Sequence, residues 1–320
     1  MTPTPMRPTK LMTSGDLLVD RRYTFAESLM REKDWEAAAE LIGEIVRLAP
    51  HWAPAWISLG ETLAALGRKD EARDAFTTAL RLSPEDELGA GLRLARLGAL
   101  PPTGAMSAGY VRALFDEYAG HFDRHLVEKL AYRGPDLILE TLCGICGATG
   151  RPPHFRLALD LGCGTGLMGE AVRPYAVTLA GCDIAPRMVE RARRRGCYDR
   201  LAVAELTAFL DGEAPGSADL VLAADVFIYV GDLAPVFEAT ARALADGGLF
   251  LFTVQDVGDA PLGFVLGEDM RFAHSTGHVE TLLAAVGLDG VACDPAVLRH
   301  DGGRPVPGFV VAAQKPVRPL

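Results

Sequence analysis

The stretch that decides the fold reads LALDLGCGTGLMG and covers residues 157–169. Its apolar run up to Asp160 is typical of a buried parallel strand, and the glycines after it open a helix. A strand, a glycine-rich turn and a helix in this order bring backbone amides close to a ligand. Gly164, Gly166 and Gly169 match the dinucleotide-binding pattern G-x-G-x-x-G, but this pattern alone is weak evidence for a dinucleotide.

The charge beside these glycines favours a positively charged ligand. The glycine series already begins at Gly162, so the segment reads Asp-x-Gly-x-Gly-x-Gly from Asp160 onward. A carboxylate at a strand end repels a pyrophosphate but attracts an ammonium or a sulfonium. A nicotinamide-dependent oxidoreductase stays an alternative, and binding of NADH would test it.

Strand and helix patterns alternate from about residue 155 to the end of the chain. The predicted strands are 156–160, 177–182, 201–204, 219–224 and 247–254, and the predicted helices are 166–174, 186–195, 233–245 and 277–286. This alternation predicts a mostly parallel sheet with helices on both faces. Two last strands, 289–298 and 307–314, are separated by about eight residues, too few for a crossover helix, so they should form an antiparallel hairpin.

These segments resemble the class I S-adenosylmethionine-dependent methyltransferases. DLGCGTG at 160–166 is similar to their first motif, and GCDIAPRMVERAR at 181–193 is similar to their second. FDEYAGHFDRHLVEKLAYRGP at 115–135 resembles the tetratricopeptide-containing branch, which is related to the trans-aconitate and ubiquinone/menaquinone-biosynthesis methyltransferases. The resemblance implies a Rossmann-like α/β fold with a seven-stranded sheet and an antiparallel final hairpin. It also implies S-adenosyl-L-methionine as the cofactor.

The resemblance assigns cofactor contacts to the ends of the first strands. Asp160 and the backbone of the following turn would hold the methionine part of the cofactor, the turn comprising Gly162, Cys163, Gly164 and Gly166. Asp183 would accept hydrogen bonds from both ribose hydroxyls, although it could instead cap the next helix. The other implied cofactor contacts are Ile184 and Met188 beside the adenine, Glu205 and Leu206 after the third strand, Ala224 after the fourth strand, and Tyr118.

The helix predicted at 107–131 carries aromatic residues that the resemblance places over the cofactor. Tyr118 and Phe122 are four residues apart, so they share a helix face, and their rings could contact a sulfonium by cation–π attraction. Plain helix packing explains the pair equally well. His121 and His125 lack the glutamate of a zinc-protease helix. We therefore interpret His121 and His125 as helix-face residues that border the acceptor pocket, not as metal ligands, and we expect Phe122 at the same pocket.

Candidates for the acceptor side follow the fourth and fifth strands. Methyl transfer needs a base only if the acceptor is a hydroxyl, thiol or ammonium. Asp225 and Tyr229 are candidates for positioning the acceptor. Residues 270–275 resemble a Gly-Arg-Tyr-x-His-Ser element of the same branch, so Arg271 could bind a substrate carboxylate and His274 could act as base. A surface arginine beside a helix cap is the structural alternative.

The first hundred residues show a repeat instead. Residues 53–86 resemble a tetratricopeptide repeat, and the segment 19–52 before them shows the same pattern. Small Gly60 and Ala26 occupy matching positions of the two repeats and should let paired helices approach closely. The repeats could form a peptide-binding groove or cap the fold, since two repeats are short for independent stability.

A cluster of helix breakers, LPPTG at 100–104, separates the repeats from the rest of the chain. The predicted domains are a disordered N-terminus at 1–18, a tetratricopeptide-repeat domain at 19–100 and a methyltransferase domain at 105–320. Within the last domain, 105–152 would be a helical lid and 153–320 the core.

Composition limits the partners and the compartment. A net charge of −10 argues against a protein that binds nucleic acid by neutralising many phosphates. We see neither a secretory signal nor an apolar run long enough to span a membrane. Cys143 and Cys146 form a CxxC pair, which we assign to packing rather than to a metal because no second pair lies at zinc spacing. We expect a reduced, cytoplasmic protein.

Together the patterns predict a metal-independent methyltransferase that transfers its methyl group in line to a small-molecule acceptor, with a carboxylic metabolite as first choice. One alternative is a protein methyltransferase whose repeat domain recruits the target. Another is a non-catalytic repeat scaffold that only binds the cofactor.

Overall fold

The computed structural model describes residues 13–120, 122–124, 132–258 and 260–317. Contacts between residues divide the chain into two compact units, with the division between Glu117 and Tyr118. We call the described residues up to Glu117 the repeat unit and those from Tyr118 onward the sheet unit.

The repeat unit consists of helices joined by short turns. Its helices are α1 (Leu17–Glu32), α2 (Trp35–Leu48), α3 (Ala53–Ala65), α4 (Lys69–Leu82) and α5 (Ala90–Arg96), and α6 (Ala108–Tyr118) begins in it. Helix α1 begins inside the segment 1–18 that we expected to be disordered, because the Asp16 side chain accepts hydrogen bonds from the Leu18 and Val19 amides and caps it. Residues 1–12 of that segment lie outside the described residues.

Small residues allow close helix packing in the repeat unit, as the repeat pattern predicts. A Cβ at Gly60 on α3 would overlap the Phe76 ring of α4. Ala26 on α1 is fully buried. Paired helices approach this closely only where one of them carries no large side chain.

The first part of the predicted lid packs with the repeats. Ser107 Oγ donates a hydrogen bond of 3.0 Å to the Asp86 carbonyl, and a Cβ at Gly109 would overlap the Glu85 carbonyl. These contacts place the division after α6 rather than at 100–104. The helix predicted at 107–131 is also interrupted: α6 ends at Tyr118 and α7 covers only Phe122–Arg124. Residues 125–131 lie outside the described residues.

The sheet unit contains the predicted seven-stranded sheet. Its strands are β1 (Phe155–Leu161), β2 (Ala176–Asp183), β3 (Arg200–Val203), β4 (Ala218–Ala223), β5 (Leu244–Gln255), β8 (Asp289–Asp301) and β9 (Arg304–Gln314). Their order is β3-β2-β1-β4-β5-β9-β8. Strands β1–β5 pair in parallel, whereas β9 pairs antiparallel with both β5 and β8. The predicted final hairpin is confirmed.

Helices cover both faces of this sheet. They are α8 (Gly134–Ala148), α9 (Leu167–Val172), α10 (Pro186–Arg195), α11 (Leu206–Asp211), α12 (Ala234–Ala243) and α13 (Thr276–Ala285). One apolar cluster contains Phe227, Phe237 and Phe250, and the other contains Ile138 and Phe155. Two clusters are expected because the strands of a parallel sheet are buried on both faces.

Some elements of the sheet unit were not predicted. They are α11 and a separate two-stranded hairpin formed by β6 (Phe264–Leu266) and β7 (Phe272–His274). Three-residue strands are too short to show a clear alternation of apolar and polar residues. Within the described residues, no helix is both long enough and apolar enough to span a bilayer.

Candidate active site at the carboxyl edge of the sheet

The turn after β1 has the conformation that its glycines permit. Gly162, Gly164 and Gly166 have φ values of +63°, +53° and +94°, a region that favours glycine. A Cβ at Gly162 would also lie 2.6 Å from Val226 Cγ2. The Cys163 amide donates a hydrogen bond of 2.8 Å to the carbonyl of Cys182 at the end of β2. The turn is therefore fixed to the neighbouring strand.

Asp160 lies buried at the end of β1, with 1% of its surface exposed. The Tyr198 hydroxyl donates a hydrogen bond of 2.5 Å to its Oδ2. Burial raises the pKa of Asp160 to about 7, the hydrogen bond from Tyr198 lowers it, and the charge of Asp183 raises it. A buried carboxylate of this kind is stabilised by a cation placed beside it.

Asp183 connects the glycine turn to the segment after β2. Its Oδ2 accepts a hydrogen bond of 3.0 Å from the Gly164 amide, and its Oδ1 accepts one of 2.8 Å from the Ala185 amide. Helix α10 begins one residue later and receives no cap from a side chain. The capping alternative for Asp183 is therefore not what the structure shows. A carboxylate oxygen can accept hydrogen bonds from more than one donor.

The other residues expected at the cofactor follow β2, β3 and β4 at the same edge. Met188 is fully buried and Ile184 is half-buried on the segment after β2. Glu205 is exposed at the start of α11, and Leu206 and Ala224 are half-buried. The carboxyl ends of parallel strands are where doubly wound sheets bind their ligands.

An aromatic pair lies over the glycine turn. The rings of Tyr118 and Phe122 meet edge to face with their centroids 5.3 Å apart. Phe122 ring carbons lie 3.6 Å and 3.8 Å from the position that a Cβ of Gly164 would take. The two residues touch although the helix is interrupted between them, so helical spacing is not the cause. Burial raises the pKa of Tyr118 to about 12.

Helix α7 is tied to the turn by charged and polar groups that the sequence did not reveal. Thr165 Oγ donates to Asp123 Oδ1, and Arg195 Nη2 donates to Asp123 Oδ2 at 2.7 Å. Arg195 Nε also donates to the Thr165 carbonyl at 2.7 Å. Arg195, the last residue of α10, makes these specific contacts at the end of the helix.

Asp225, directly after β4, is held by a buried arginine. It has a φ of +58°, which is strained for a residue with a side chain. Its Oδ1 accepts a hydrogen bond of 2.6 Å from Arg299 Nη1, and Arg299 Nη2 donates to Gln255 Oε1 at 2.9 Å. Arg299 is 1% exposed. It lies 74 residues after Asp225, so only the sheet topology brings the two together.

Arg271 and Tyr229 lie beside this pair. Burial lowers the pKa of Arg271, but the neighbouring Tyr229, Asp225 and Asp269 together raise this pKa by more than burial lowers it. The guanidinium therefore stays charged. Its Nη1 lies 3.3 Å from Asp301 Oδ2. Asp225, Tyr229 and Arg271 thus lie close together near Tyr118, but Arg271 already shares its charge with an acidic residue.

Family models match both units of the chain. Residues 159–250 match the model of a methyltransferase domain, and residues 53–86 match that of a tetratricopeptide repeat. This chain contains a methyltransferase domain. Human methyltransferase-like protein 27 is 37% identical over 109 residues, which cover 34% of this chain and 43% of that protein. Ubiquinone biosynthesis O-methyltransferase of Xanthomonas oryzae is 34% identical over 100 residues, covering 30% of this chain and 42% of that protein.

The chain therefore spans less than half the length of these curated relatives. Among solved structures, 1,6-didemethyltoxoflavin-N1-methyltransferase of Burkholderia thailandensis is similar with a TM-score of 0.47 and 16% identity. The similarity covers 65% of this chain and 89% of that one.

His274 has a position unlike the expected one. Its ring is 0% exposed, and Nε2 lies 3.1 Å from the Phe227 carbonyl. Burial lowers its pKa. These contacts are typical of a structural histidine and leave it without access to an acceptor. His121 and His125, the other histidine candidates, lie outside the described residues.

The two cysteines of the CxxC pair lie on α8 in different environments. Cys146 is buried in the core, whereas Cys143 is exposed, and both are free thiols. In the ranges that the structure describes, no group of three or more metal-binding side chains comes together.

Proposed function

We propose that this chain is an S-adenosylmethionine-dependent methyltransferase that acts on a small-molecule acceptor. One observation carries the proposal: Asp160 and Asp183, at the ends of adjacent strands, flank a turn of glycines whose conformation excludes side chains. The match to the methyltransferase domain supports it.

The residues at this edge fit the cofactor. Asp160 would neutralise its ammonium group, and the Asp183 carboxylate would accept hydrogen bonds from the two ribose hydroxyls. Tyr118 and Phe122 would exclude water and face the positive sulfur with their rings. The bound cofactor supplies an activated methyl group, and the protein contributes mainly orientation and exclusion of water.

The residues on the acceptor side of the site favour a polar acceptor that carries an acidic group. Arg271 presents a charged guanidinium near Tyr229, where a ligand carboxylate would compete with Asp301 and Asp269 for its donors. Asp225 is rigidly oriented by Arg299 and is our candidate for positioning the acceptor or accepting its proton. We assign no base role to His274.

Side chains of the repeat unit bond to one another, which supports a small acceptor over a recruited protein. The Tyr23 hydroxyl on α1 lies 2.7 Å from Ser58 Oγ on α3. Arg93 on α5 is buried and donates to Glu61 of α3 at 2.9 Å. These pairs favour a structural role for the repeats.

Calorimetry with S-adenosylmethionine and with NADH tests the cofactor. We expect S-adenosylmethionine to bind saturably and NADH not to bind. Saturable binding of NADH alone would overturn the proposal. Incubating a lysate with methyl-labelled cofactor, followed by mass spectrometry of the small-molecule and protein fractions, then identifies the acceptor class.

The ribose assignment has its own test. Asp183→Ala removes the acceptor of two hydroxyls and should abolish measurable cofactor binding, whereas the exposed control Asp246→Ala should bind like the original protein. Unchanged affinity in Asp183→Ala would refute the assignment.

A further inference from the structure

We infer that Tyr198 is a positioning residue of the cofactor site, which holds the Asp160 carboxylate in the orientation that meets the cationic end of the cofactor. Tyr198 lies just before β3 and was not among the residues that the sequence suggested. The inference rests on the proposed function, because it concerns how Asp160 receives that ligand.

The first support is the hydrogen bond itself. The Tyr198 hydroxyl lies 2.5 Å from Asp160 Oδ2 across 38 residues of sequence. A bond from a hydroxyl to a carboxylate is among the stronger hydrogen bonds in proteins. It occupies one side of the carboxylate and leaves Oδ1 for another donor.

The second support is the space around the tyrosine ring. A Cβ at Gly169 would overlap the ring and its hydroxyl, and a Cβ at Gly181 would lie 2.8 Å from Tyr198 Cε1. A Cβ at Gly166 would lie 3.2 Å from Tyr198 Cε2. The last glycine of the G-x-G-x-x-G pattern thus makes room for this ring, which explains the pattern without a pyrophosphate.

The third support is the acidic surroundings of Asp160. Among the described residues, the titratable groups that shift its pKa are Tyr198 and Asp183, and the charge of Asp160 in turn raises the pKa of Cys163, Cys182, Cys197 and Tyr132. Asp183 disfavours the ionised carboxylate, and burial disfavours it further. The Tyr198 hydroxyl favours the ionised form, which is the form that binds an ammonium.

Tyr198→Phe tests the inference because the ring stays in its slot and only the hydroxyl is lost. The dissociation constant of S-adenosylhomocysteine is measured by calorimetry for the variant and the original protein at each pH. Protonation of the ligand itself then affects both constants equally and cancels in their ratio. We expect the variant to bind about tenfold more weakly near neutral pH, the usual size of a lost hydrogen bond to a charged group. The deficit should shrink at higher pH, where Asp160 ionises without help.

Tyr175→Phe is the matched control, since Tyr175 packs against the same apolar cluster as Tyr198. It should leave the affinity and its pH dependence unchanged. In an Asp160→Asn background, Tyr198→Phe should cause no further loss, because the carboxylate on which it acts is gone.

The outcomes separate the inference from the proposed function. If the original protein binds S-adenosylhomocysteine and Tyr198→Phe binds it with the same pH profile, the inference fails alone. A variant that only melts at a lower temperature, with unchanged affinity, also overturns it in favour of a structural role. If the original protein does not bind this ligand, the proposed function fails and the inference with it.

Discussion

Each unit buries an arginine that is paired with a carboxylate. The two arginines differ in how many of their nitrogens have a hydrogen-bond partner. In the repeat unit, Arg93 donates from all its nitrogens, to Glu61 and to the Leu88 and Gly89 carbonyls. In the sheet unit, Arg299 donates to Asp225 and Gln255, but its Nε has no partner among the described residues.

The comparison indicates that two similar ion pairs have different roles, one in helix packing and one at the candidate active site. A buried arginine whose three nitrogens all have partners fixes the packing of the helices around it. Arg299 instead holds Asp225 in a strained conformation at the edge where we propose that the cofactor binds. Such strain persists only where surrounding contacts enforce it, and it is often found at functional sites. We expect that disrupting the Arg93–Glu61 pair lowers the stability of the protein, whereas disrupting the Arg299–Asp225 pair lowers the rate of methyl transfer.

The largest effect is expected for the repeat unit. Arg93→Met leaves Glu61 partly buried without its partner and should destabilise the repeat unit by about 3–5 kcal/mol. Chemical denaturation should show this loss, with cofactor affinity kept at temperatures where the protein is folded. Arg73→Met, which breaks an exposed ion pair with Asp70, is the control and should change stability by less than about 1 kcal/mol.

The second test concerns Arg299. Arg299→Met frees Asp225 and should lower methyl transfer about a hundredfold, since small misplacements near the reacting atoms have effects of that order. Cofactor affinity should change little. The control Arg156→Met removes an exposed partner of Asp219 in the same sheet and should retain its rate. A rate in Arg299→Met equal to that of the control would show that the pair is only structural.

The third test uses pH. The pKa of Asp160 is raised to about 7 from 3.8, so the folded protein binds this proton more tightly than the unfolded chain. The contribution of Asp160 to stability therefore falls as the pH rises from about 4 to about 7, by at most about 1.4 kcal/mol per pH unit. In Asp160→Asn this decline should disappear from thermal unfolding, whereas it should persist in the exposed Asp246→Asn.

The smallest effect is expected at Gly60. Gly60→Ala forces a methyl group into the Phe76 ring and should destabilise the protein by about 1–3 kcal/mol. Gly43→Ala, in the interior of α2 with open space around it, should instead be neutral or stabilising by up to about 1 kcal/mol. Equal effects of the two changes on the melting temperature would mean that helix contact does not depend on Gly60.

Local patterns predicted much of the fold. The strands from β1 to β5 and the final hairpin lie within a few residues of their predicted positions, because buried apolar runs and short connections are local features. The interruption of the lid helix after Tyr118 was missed, since Ala119 favours a helix and Gly120 is a weak breaker compared with the prolines at 101–102. The role of α6 in the repeat unit was missed because it depends on contacts with Asp86 and Glu85.

The sequence by itself determined the backbone of the site: an acid at the end of β1, a turn that needs glycines, and a second acid at the end of β2. Tertiary structure alone decided which side chains contact Asp160 and Asp225. Tyr198 reaches Asp160 and Arg299 reaches Asp225 across 38 and 74 residues, and His274 is turned into the core. The reason is that backbone conformation follows from neighbouring residues, whereas a buried side chain takes its partners from whatever strand the topology places beside it.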